Sequence, residues 1–338
     1  MSAQYQRRVK IVEGVWLHVS SESLSPTFEI PRTAIAKLNR RGLIDDEISI
    51  EDLQDILNHL IKERAFLTEE FLRRQEKLRL LSNRAKWRRP ILTLLLQHRA
   101  RTRLDQAIAQ EQAEIGESYS QIEACGMRLK WSMSSGVSHK YETVLQTCTD
   151  AALCEMIWNV TDSSVVDQFT ERSNASRAIS RYSIRLEKGQ PQGVLNDDDG
   201  SAAVPSLRNG RNERLYLFPG IAVLEGVDGS KIWSMKDLVI TPGVTRFVED
   251  EILPRDTTIV GYSWSRENKD GSPDRRFGDN RQIPNVRYGQ LQLNGWGLSA
   301  EYLFSSDGYG RAFGRSLEAL KASIIWESQN RSLTILDQ

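Results

Sequence analysis

The last third of the chain is a series of short apolar segments separated by turn residues. Two of them, at 215–218 and 221–224, flank Pro219-Gly220, a pair that is typical of a tight hairpin turn. The others lie at 231–233, 238–240, 244–247, 258–264, 286–293 and 298–304. Segments of this length, bounded by glycine, proline and aspartate, predict a run of antiparallel strands.

After the last of these segments the apolar positions recur every three or four residues. The residues concerned are Tyr309, Phe313, Leu317, Leu320 and Ile324. This spacing predicts a C-terminal helix. A set of antiparallel strands closed by one helix is the element order of a pleckstrin-homology (PH) or GRAM-like barrel, in which the helix plugs one open end. We therefore predict such a barrel at 211–338. An ordinary β-sandwich is the alternative, and the terminal helix counts against it.

Residues 53–85 follow a heptad repeat. One seam position holds Leu53, Leu60, Leu67, Arg74 and Leu81, and the other holds Leu57, Arg64, Phe71, Leu78 and Ala85. All of these except the two arginines are apolar, which is the pattern of a coiled coil. Pro90 must end or kink the helix, because proline lacks the N–H that an interior position needs.

A second, weaker heptad follows Pro90. Ile108, Ile115, Ile122 and Leu129 hold one position, and Leu104, Glu111, Ser118 and Cys125 hold the other. We predict that the two stretches form an intramolecular antiparallel hairpin folded near Pro90. A parallel dimer built on 53–85 is the alternative, with a second copy of the chain as the partner.

The complete pattern predicts an α+β protein with four regions. They are a small β unit with a short helix (1–44), a helical and coiled-coil region (45–165), a linker with a candidate strand (166–210) and the PH-like barrel with its C-terminal helix (211–338). In the first region, two strands meet at Glu13-Gly14 and the short helix is expected at 31–38. The second region ends with a third helix, expected at 139–160.

The charges balance overall but not locally. The chain has 45 Lys and Arg against 45 Asp and Glu, so net charge alone indicates no nucleic-acid or membrane partner. Between residues 84 and 103 there are cations and no acid: Arg84, Lys86, Arg88, Arg89, Arg99, Arg101 and Arg103. Together with the apolar run at 91–96, this segment could bind anionic lipid or a nucleic-acid backbone. Pairing with the acidic block at 45–55 is the simpler interpretation, and it is favoured here.

A long polar loop is expected at 266–284, between two predicted strands. Its arginines alternate with acids, in the order Asp270, Asp274, Arg275, Arg276, Asp279 and Arg281. Long loops in a compact domain are uncommon without a function, and adjacent guanidinium groups offer forked donors to an acidic partner. We therefore predict a binding site formed by Arg275, Arg276, Phe277 and Arg281. Ion pairing within the loop is the alternative.

The sequence carries no signature of catalysis or of cofactor binding. The four histidines stand apart, the three cysteines lack paired spacing, and no nucleophile elbow or phosphate loop occurs. Gly308, Gly310 and Gly314 resemble part of a dinucleotide fingerprint, but no strand with an acidic partner follows them. The sequence thus predicts a protein that is not an enzyme, with no catalytic residue, no metal ligand and no cofactor. With no apolar run of membrane-spanning length and no apolar signal core at the N-terminus, a cytoplasmic location is expected.

Several stretches resemble an uncharacterised bacterial family. At 7–25, Arg-Arg-Val-Lys-Ile-x-x-Gly-Val-x-Leu-x-Val-Ser-x-x-x-Leu-Ser is similar to a small bacterial domain of unknown function, although Glu13, His18 and Glu22 replace its proline, asparagine and lysine. The closer matches are Ile157-Trp158, Thr170-Glu-Arg-Ser, Leu215-Tyr-Leu-Phe-Pro-Gly, Thr245-Arg-Phe-Val-Glu-Asp, Asn268-Lys-Asp-Gly-Ser-Pro-Asp-Arg-Arg-Phe, Asp279-Asn-Arg-Gln-Ile-Pro and Tyr288-Gly. They resemble a C-terminal segment that this family joins to a helical middle and to the small domain.

The resemblance comes with no established activity. It implies a bacterial protein in the setting of a stress or phage-defence system. Together with the lack of catalytic motifs, it predicts a non-enzymatic recruitment or assembly protein, whose partner is another protein or a second copy of the chain through 53–85. A nucleic-acid or anionic-membrane-surface binder that acts through 84–103 is the competing hypothesis, and a cryptic nuclease comes third.

Overall fold

A computed structural model describes residues 5–12, 15–21, 50–88, 98–165, 177–195, 203–268 and 271–336. Within these ranges the chain is an α+β protein with four helices. They are α1 (Ile50–Arg88), α2 (His98–Ala124), α3 (Ser135–Ala151) and α4 (Asp307–Leu336). The short helix predicted at 31–38 lies outside the described residues.

The described strands form three sheets. The strands are β1 (Tyr5–Val12), β2 (Val15–Ser21), β3 (Met127–Met133), β4 (Ile157–Val165), β5 (Arg177–Ile184), β6 (Leu186–Gly189), β7 (Val194–Leu195), β8 (Val204–Arg208), β9 (Arg214–Leu217), β10 (Ile221–Gly226), β11 (Gly229–Ser234), β12 (Val239–Val248), β13 (Thr258–Trp264), β14 (Gln282–Gly295) and β15 (Leu298–Phe304). Their orders are β1-β2-β3-β7, β11-β10-β9-β8-β6 and β12-β14-β15-β4-β5, with β13 also paired to β14. The first sheet is mixed because β3 and β7 are parallel, and the other two are antiparallel.

The N-terminal strands belong to the mixed sheet. Strands β1 and β2 form the antiparallel hairpin predicted around Glu13-Gly14. Strand β3 pairs with β2 although it follows α2 in the chain. Leu129 lies on β3, so the second heptad stops where α2 ends, at Ala124. The helix predicted at 139–160 is α3, which ends at Ala151 and gives way to strand β4.

The two antiparallel sheets are open, so the predicted PH/GRAM-like barrel is wrong. One sheet ends at β11 and β6, and the other at β12 and β5. Helix α4 does not plug a barrel; it lies against β12, β14 and β15. The region 166–210, predicted as a linker with a candidate strand, holds β5 to β8 and contributes to all three sheets.

Helix α1 covers the open edge of β11 with two amide side chains. Asn58 Nδ2 donates to the Ser230 carbonyl at 3.1 Å, and Asn58 Oδ1 accepts from the Ser230 N–H at 2.6 Å. One turn earlier, Gln54 Oε1 accepts from the Ile232 N–H at 3.0 Å. These bonds satisfy backbone groups that an unpaired edge would offer to another strand. Gly229 permits the approach, because a Cβ there would lie 2.8 Å from Asn58 Oδ1.

Three glycines bring α4 close to the six-stranded sheet. A Cβ at Gly310 would lie 2.7 Å from Phe304 Cβ, and one at Gly314 would lie 2.7 Å from Pro242 Cβ. A Cβ at Gly289 on β14 would lie 3.0 Å from Gly310 Cα. Close approach of a helix to a strand explains these glycines, including the two at the start of α4 that resemble part of a nucleotide motif.

Strand β12 runs without a break through Pro242-Gly243, where the sequence predicts two separate strands. Pro242 lies opposite Leu291, and Gly243 lies opposite Gln290, in the ladder with β14. Because β12 is an edge strand, the missing N–H of proline need not serve a second neighbour. A turn-like dipeptide therefore does not end this strand.

One large core joins the antiparallel sheets to the helices. Leu53, Leu57 and Leu60 from the first turns of α1 enter this core together with residues of α3 and α4. Side chains alternate across a strand, so Leu291 on β14 faces the large core. Tyr288, of the opposite parity, belongs to a second, smaller core on the other face of the six-stranded sheet.

Candidate functional site

Helix α1 begins in the large core and then leaves it. Leu53 and Leu57 are 2 % exposed and Leu60 is 8 % exposed. Beyond residue 61 the remaining seam residues of α1 with described side chains are only half-buried, and the neighbour of the helix is α2. We call residues 62–88 of α1, together with α2 beside them, the arm.

Contacts along the arm connect α1 to α2 in antiparallel order. From the base outward, they join Arg64 to the Cys125 carbonyl, Phe71 to Tyr119, Arg74 to Glu114 and Lys77 to Glu111. The partner numbers on α2 fall as those on α1 rise. The two helices therefore run in opposite directions where they touch, and the end of α1 and the start of α2 lie at the same end of the arm.

Three of the four residues at the weaker seam position of the second heptad are more deeply buried than the isoleucines of the other position. Glu111 and Cys125 are 5 % exposed and Ser118 is 8 % exposed, whereas Ile108 and Ile115 are half-buried. Lys77 pairs with the Glu111 carboxylate from the α1 side. The arm is thus held partly by ion pairs, and coiled-coil packing along 53–85 stays a prediction.

The basic segment lies at the outer end of the arm. Arg84 and Lys86 lie near the end of α1 and Arg103 near the start of α2, and all three side chains are exposed. None of the three forms an ion pair with a residue that the structure describes. Of the other predicted residues, Arg88, Arg99 and Arg101 belong to the same two helix ends, and Arg89 lies outside the described residues.

The acidic block lies at the opposite end of α1, so its predicted pairing with the basic segment is wrong for the described residues. Glu51 and Asp55 are exposed in the first turns of α1. A helix rises about 1.5 Å per residue, which places Asp55 and Arg84 about 44 Å apart along one continuous helix. Exposed charges are largely screened beyond about 8–10 Å at physiological ionic strength. These acids therefore do not neutralise the basic end within one chain.

The predicted long loop joins β13 to β14 and is tied together by one asparagine. Asn280 Oδ1 accepts from the Arg266 N–H at 2.9 Å and from the Ser265 hydroxyl at 2.9 Å. Asn280 Nδ2 donates to the Arg266 carbonyl at 2.7 Å and to the Asp274 carbonyl at 3.3 Å. One side chain thus connects the start of the loop, its end and Asp274 in its middle.

The four predicted binding residues of the loop differ in ion pairing and in exposure. Arg276 forms a two-pronged pair with Asp274, at 2.9 and 2.6 Å, and these hydrogen bonds raise the pKa of its guanidinium. Since Asp274 is 3 % exposed, pairing within the loop accounts for Arg276. Arg275 is exposed, and Arg281 is exposed with a long contact of 3.5 Å to a backbone carbonyl. Phe277 is 41 % exposed. Asp270 lies outside the described residues.

The sequence analysis missed a buried ion pair in the smaller core. Arg181 on β5 lies 2.8 Å from the Glu249 carboxylate, and Tyr288 donates its hydroxyl to Glu249 at 2.5 Å. The Arg181 guanidinium also lies over the Trp158 ring at 4.4 Å and the Phe247 ring at 5.1 Å. The side chains of Arg181 and Glu249 are 7 % and 0 % exposed. A buried charge of either sign is tolerated here because each has an opposite partner.

Two groups of this cluster, Arg181 and Tyr288, have a raised pKa. Burial alone would lower the pKa of the Arg181 guanidinium, but its hydrogen bonds to Glu249 and Glu251 outweigh burial and raise it. Burial and the hydrogen bond to Glu249 raise the pKa of Tyr288. Both groups stay protonated at neutral pH, so neither offers a base or a nucleophile.

The geometry gives the cluster a structural role. Strands β5 and β12 lie at opposite edges of one sheet, and a flat sheet would separate them by about 19 Å at about 4.8 Å per strand. Arg181 nevertheless contacts Phe247 and Glu249, at and just beyond the end of β12, so the sheet is curled and the ion pair connects its edges. Trp158 and Tyr288 lie in stretches that carry the family resemblance. Arg181 lies outside these stretches. Its one signal in the sequence is that it is two residues from the apolar Ile179, so both side chains lie on the same face of the strand.

The remaining reactive groups are buried or scattered. Burial raises the thiol pKa of Cys125, Cys148 and Cys154 to about 11, so all three are protonated at neutral pH. Among the described residues, no group of three or more His, Cys, Asp or Glu side chains is placed to hold a metal ion. No helix in the described ranges combines the length and the apolar character that crossing a bilayer requires.

No protein-family model, no curated protein and no solved structure matches this chain. The resemblance to an uncharacterised bacterial family, and the stress or phage-defence setting that it implies, therefore stay predictions.

Proposed function

We propose that this chain is a non-enzymatic recruitment protein that brings its globular body to an anionic membrane surface through the end of the arm. The supporting observation is the position of the basic segment. Arg84, Lys86 and Arg103 are exposed at the outer end of two antiparallel helices, far from the described acids at the start of α1. Each Lys or Arg held near an anionic leaflet contributes about 1 kcal/mol, so a cluster at one point gives appreciable binding.

The composition of the arm end favours lipid over nucleic acid. The cations flank the apolar run Ile-Leu-Thr-Leu-Leu-Leu at 91–96. Such a run suits the boundary between headgroups and acyl chains, where apolar residues are buried and the cations beside them meet phosphate. A nucleic-acid backbone would engage the cations but would leave the apolar run in water.

We also infer that α1 and α2 are the two limbs of one helical hairpin within a single chain. This inference is supported by three seam residues of α1, Arg64, Phe71 and Arg74, whose partners lie on α2 or just after it. A parallel dimer on 53–85 would have to displace α2 there, and it would also compete with the core for Leu53 and Leu57. Self-assembly through this heptad is therefore the less favoured route.

Vesicle binding tests the proposed function. The intact protein should co-sediment with vesicles of phosphatidylcholine that contain about a third phosphatidylserine, and not with phosphatidylcholine alone. Combining Arg84→Glu, Lys86→Glu and Arg103→Glu should weaken binding at least about tenfold, because three attractive charges become repulsive. Leu95→Asp should weaken vesicle binding as well, since it places a charge in the apolar run.

The matched control reverses three exposed charges on the body: Lys231→Glu, Lys236→Glu and Arg246→Glu. It changes the net charge equally and should leave vesicle binding unchanged. Equal loss in both triple variants would show non-specific attraction and contradict the proposal. Binding to a duplex DNA oligonucleotide that survives Leu95→Asp, without any binding to vesicles, would replace the membrane with nucleic acid as the target.

A further inference from the structure

The two ends of α1 carry opposite charges that are not neutralised within the chain. Residues 50–63 hold four acids and one cation, Lys62, whereas residues 81–88 hold three cations and no acid. The exposed members that form no ion pair with a described residue are Glu51 and Asp55 near the start, and Arg84 and Lys86 near the end. The helix dipole favours acids in the first turn and cations in the last. It does not account for Asp55 and Arg84, which lie further into the helix.

The side of α1 opposite the seam residues, which we call its outer face, is partly apolar and neutral in its middle. Phe66 and Leu80 lie on this face, two heptads apart, and they are 52 and 57 % exposed. The charges between them are paired along the helix, Arg73 with Glu69 and Arg79 with Glu76. These pairs neither attract nor repel a neighbouring helix strongly, so the unpaired charges at the two ends decide how such a neighbour is oriented.

We propose that two copies of this chain dimerise through the outer faces of α1, with the two helices antiparallel. Antiparallel packing brings the acidic start of each helix beside the basic end of the other, so that both pairs of opposite charge form at once. The contact is closed and two-fold symmetric, because the same surface is used on both copies. A parallel pair would place acids beside acids and cations beside cations, and this repulsion excludes it.

The spacing along α1 fits an antiparallel pair. When Phe66 of each copy packs against Leu80 of the other, the two-fold axis passes near residue 73. At about 1.5 Å per residue, Asp55 lies about 16 Å before Phe66, and Lys86 lies about 9 Å beyond Leu80. The acid of one copy and the cation of the other are then about 7 Å apart along the helices. This separation is within the roughly 8–10 Å over which exposed charges interact at physiological ionic strength.

The dimer leaves the helical hairpin of each chain intact. Arg64, Phe71 and Arg74 belong to the seam, and they keep their partners on α2 or just after it, because the outer face is the opposite side of α1. In the dimer, the acids of the second copy lie beside the cations that carry the proposed membrane contact. A second copy and an anionic membrane therefore compete for the arm end. This consequence rests on the proposed function, whereas the dimer itself does not.

Sedimentation velocity on the full-length protein without lipid tests the dimer. The unchanged protein should be dimeric at about 50 µM in low salt and should dissociate as salt rises. The start-reversed variant, Glu51→Lys with Asp55→Lys, should be monomeric, and so should the end-reversed variant, Arg84→Glu with Lys86→Glu, because like charges then face each other. An equimolar mixture of the two should dimerise again, since each end of one variant then faces the opposite charge of the other. Recovery in the mixture cannot arise from misfolding of either variant.

A matched control reverses two exposed charges of the body, Lys231→Glu with Lys236→Glu, and should stay dimeric. Leu80→Glu gives a second measurement at an exposed apolar position, and it should weaken the dimer about tenfold or more. Far-ultraviolet circular dichroism verifies that each variant is folded. A monomeric unchanged protein in low salt would overturn the proposal.

Two further results would contradict the dimer. A dimer that survives both reversals would be held by another surface, and a mixture that stays monomeric would show that the two ends do not meet. The start-reversed variant keeps Arg84, Lys86 and Arg103, so it should still bind phosphatidylserine vesicles. The dimer and membrane binding can therefore fail separately.

Discussion

The first turns of α1 and the rest of the same helix share one heptad repeat but have different neighbours. At the start, Leu53 and Leu57 are 2 % exposed and pack in a core made by two β-sheets. In the arm, Phe71, Leu78 and Leu81 occupy the same two seam positions and are only half-buried beside α2. A heptad therefore specifies an apolar stripe on a helix, and it does not specify whether a sheet or another helix covers that stripe.

The difference extends to polar residues on α1. Asn58 and Gln54 make hydrogen bonds to the backbone of β11, in a place where water is largely excluded. Arg74 and Lys77 pair with carboxylates of α2, and their side chains are 29 % and 64 % exposed. The first kind of contact is costly to lose because it leaves unpaired groups in a buried edge, whereas water can replace much of the second.

The largest test of this comparison removes one seam leucine from each part. Leu57→Ala should lower the free energy of unfolding by about 2–5 kcal/mol, because it leaves a cavity in a close-packed core. Leu78→Ala in the arm should lower it by about 1 kcal/mol, since that side chain is half-exposed and the helices can adjust. Urea denaturation measures both. Equal losses would mean that the arm is as tightly packed as the core and would end the distinction.

A second test compares two asparagines on the same helix. Asn58→Ala should destabilise the protein by about 1–3 kcal/mol, because the Ser230 N–H and carbonyl lose their partner in the buried edge. Asn83→Ala, at an exposed position of the arm, should change stability by less than about 0.5 kcal/mol. Hydrogen exchange should show faster exchange of the Ser230 amide in the first variant alone. An unchanged exchange rate there would mean that α1 does not protect the edge of β11.

The smallest expected effects concern the buried acid of the arm. Lys77→Met should lower the free energy of unfolding by about 1 kcal/mol, because it leaves Glu111, whose side chain is 6 % exposed, without its cation. Adding Glu111→Leu should restore stability to within about 1 kcal/mol of the starting protein, as an apolar residue can replace a buried ion pair. Thermal denaturation of the single and double variants measures the difference. A double variant that is no more stable than Lys77→Met would show that the acid is not the source of the cost.

Local signals in the sequence predicted the local elements well. Pro219-Gly220 marked the β9–β10 hairpin, and the apolar spacing from Phe313 to Ile324 marked α4. The open sheets could not be predicted in this way, because what covers the edge of β11 is Asn58, 172 residues earlier in the chain. Closure of a barrel depends on its edges, and edges are satisfied by distant residues that leave no local pattern.

For the candidate site, too, local features could be predicted from the sequence and contacts between distant residues could not. The loop arginines and the basic segment were visible as runs of charge, and pairing of Arg276 with Asp274 was the stated alternative for the loop. The separation of the basic segment from the acids at 51–55 required knowing that α1 is continuous. Arg181 was missed because its partner Glu249 lies 68 residues away, and one arginine among alternating residues resembles an ordinary surface strand.

The continuity of α1 also has a mechanical consequence. A helix of 39 residues is about 58 Å long, and the same rigid rod forms both the outer arm and part of the core. A force applied at Arg84 is transmitted along α1 to its first turns, which Asn58 and Gln54 hold against β11. If residues 62–88 of α1 tilt, the first turns of the same helix must tilt with them, and the force reaches the sheet that contains β11. A molecule bound at the arm end would be held at a set distance and a set angle from the body.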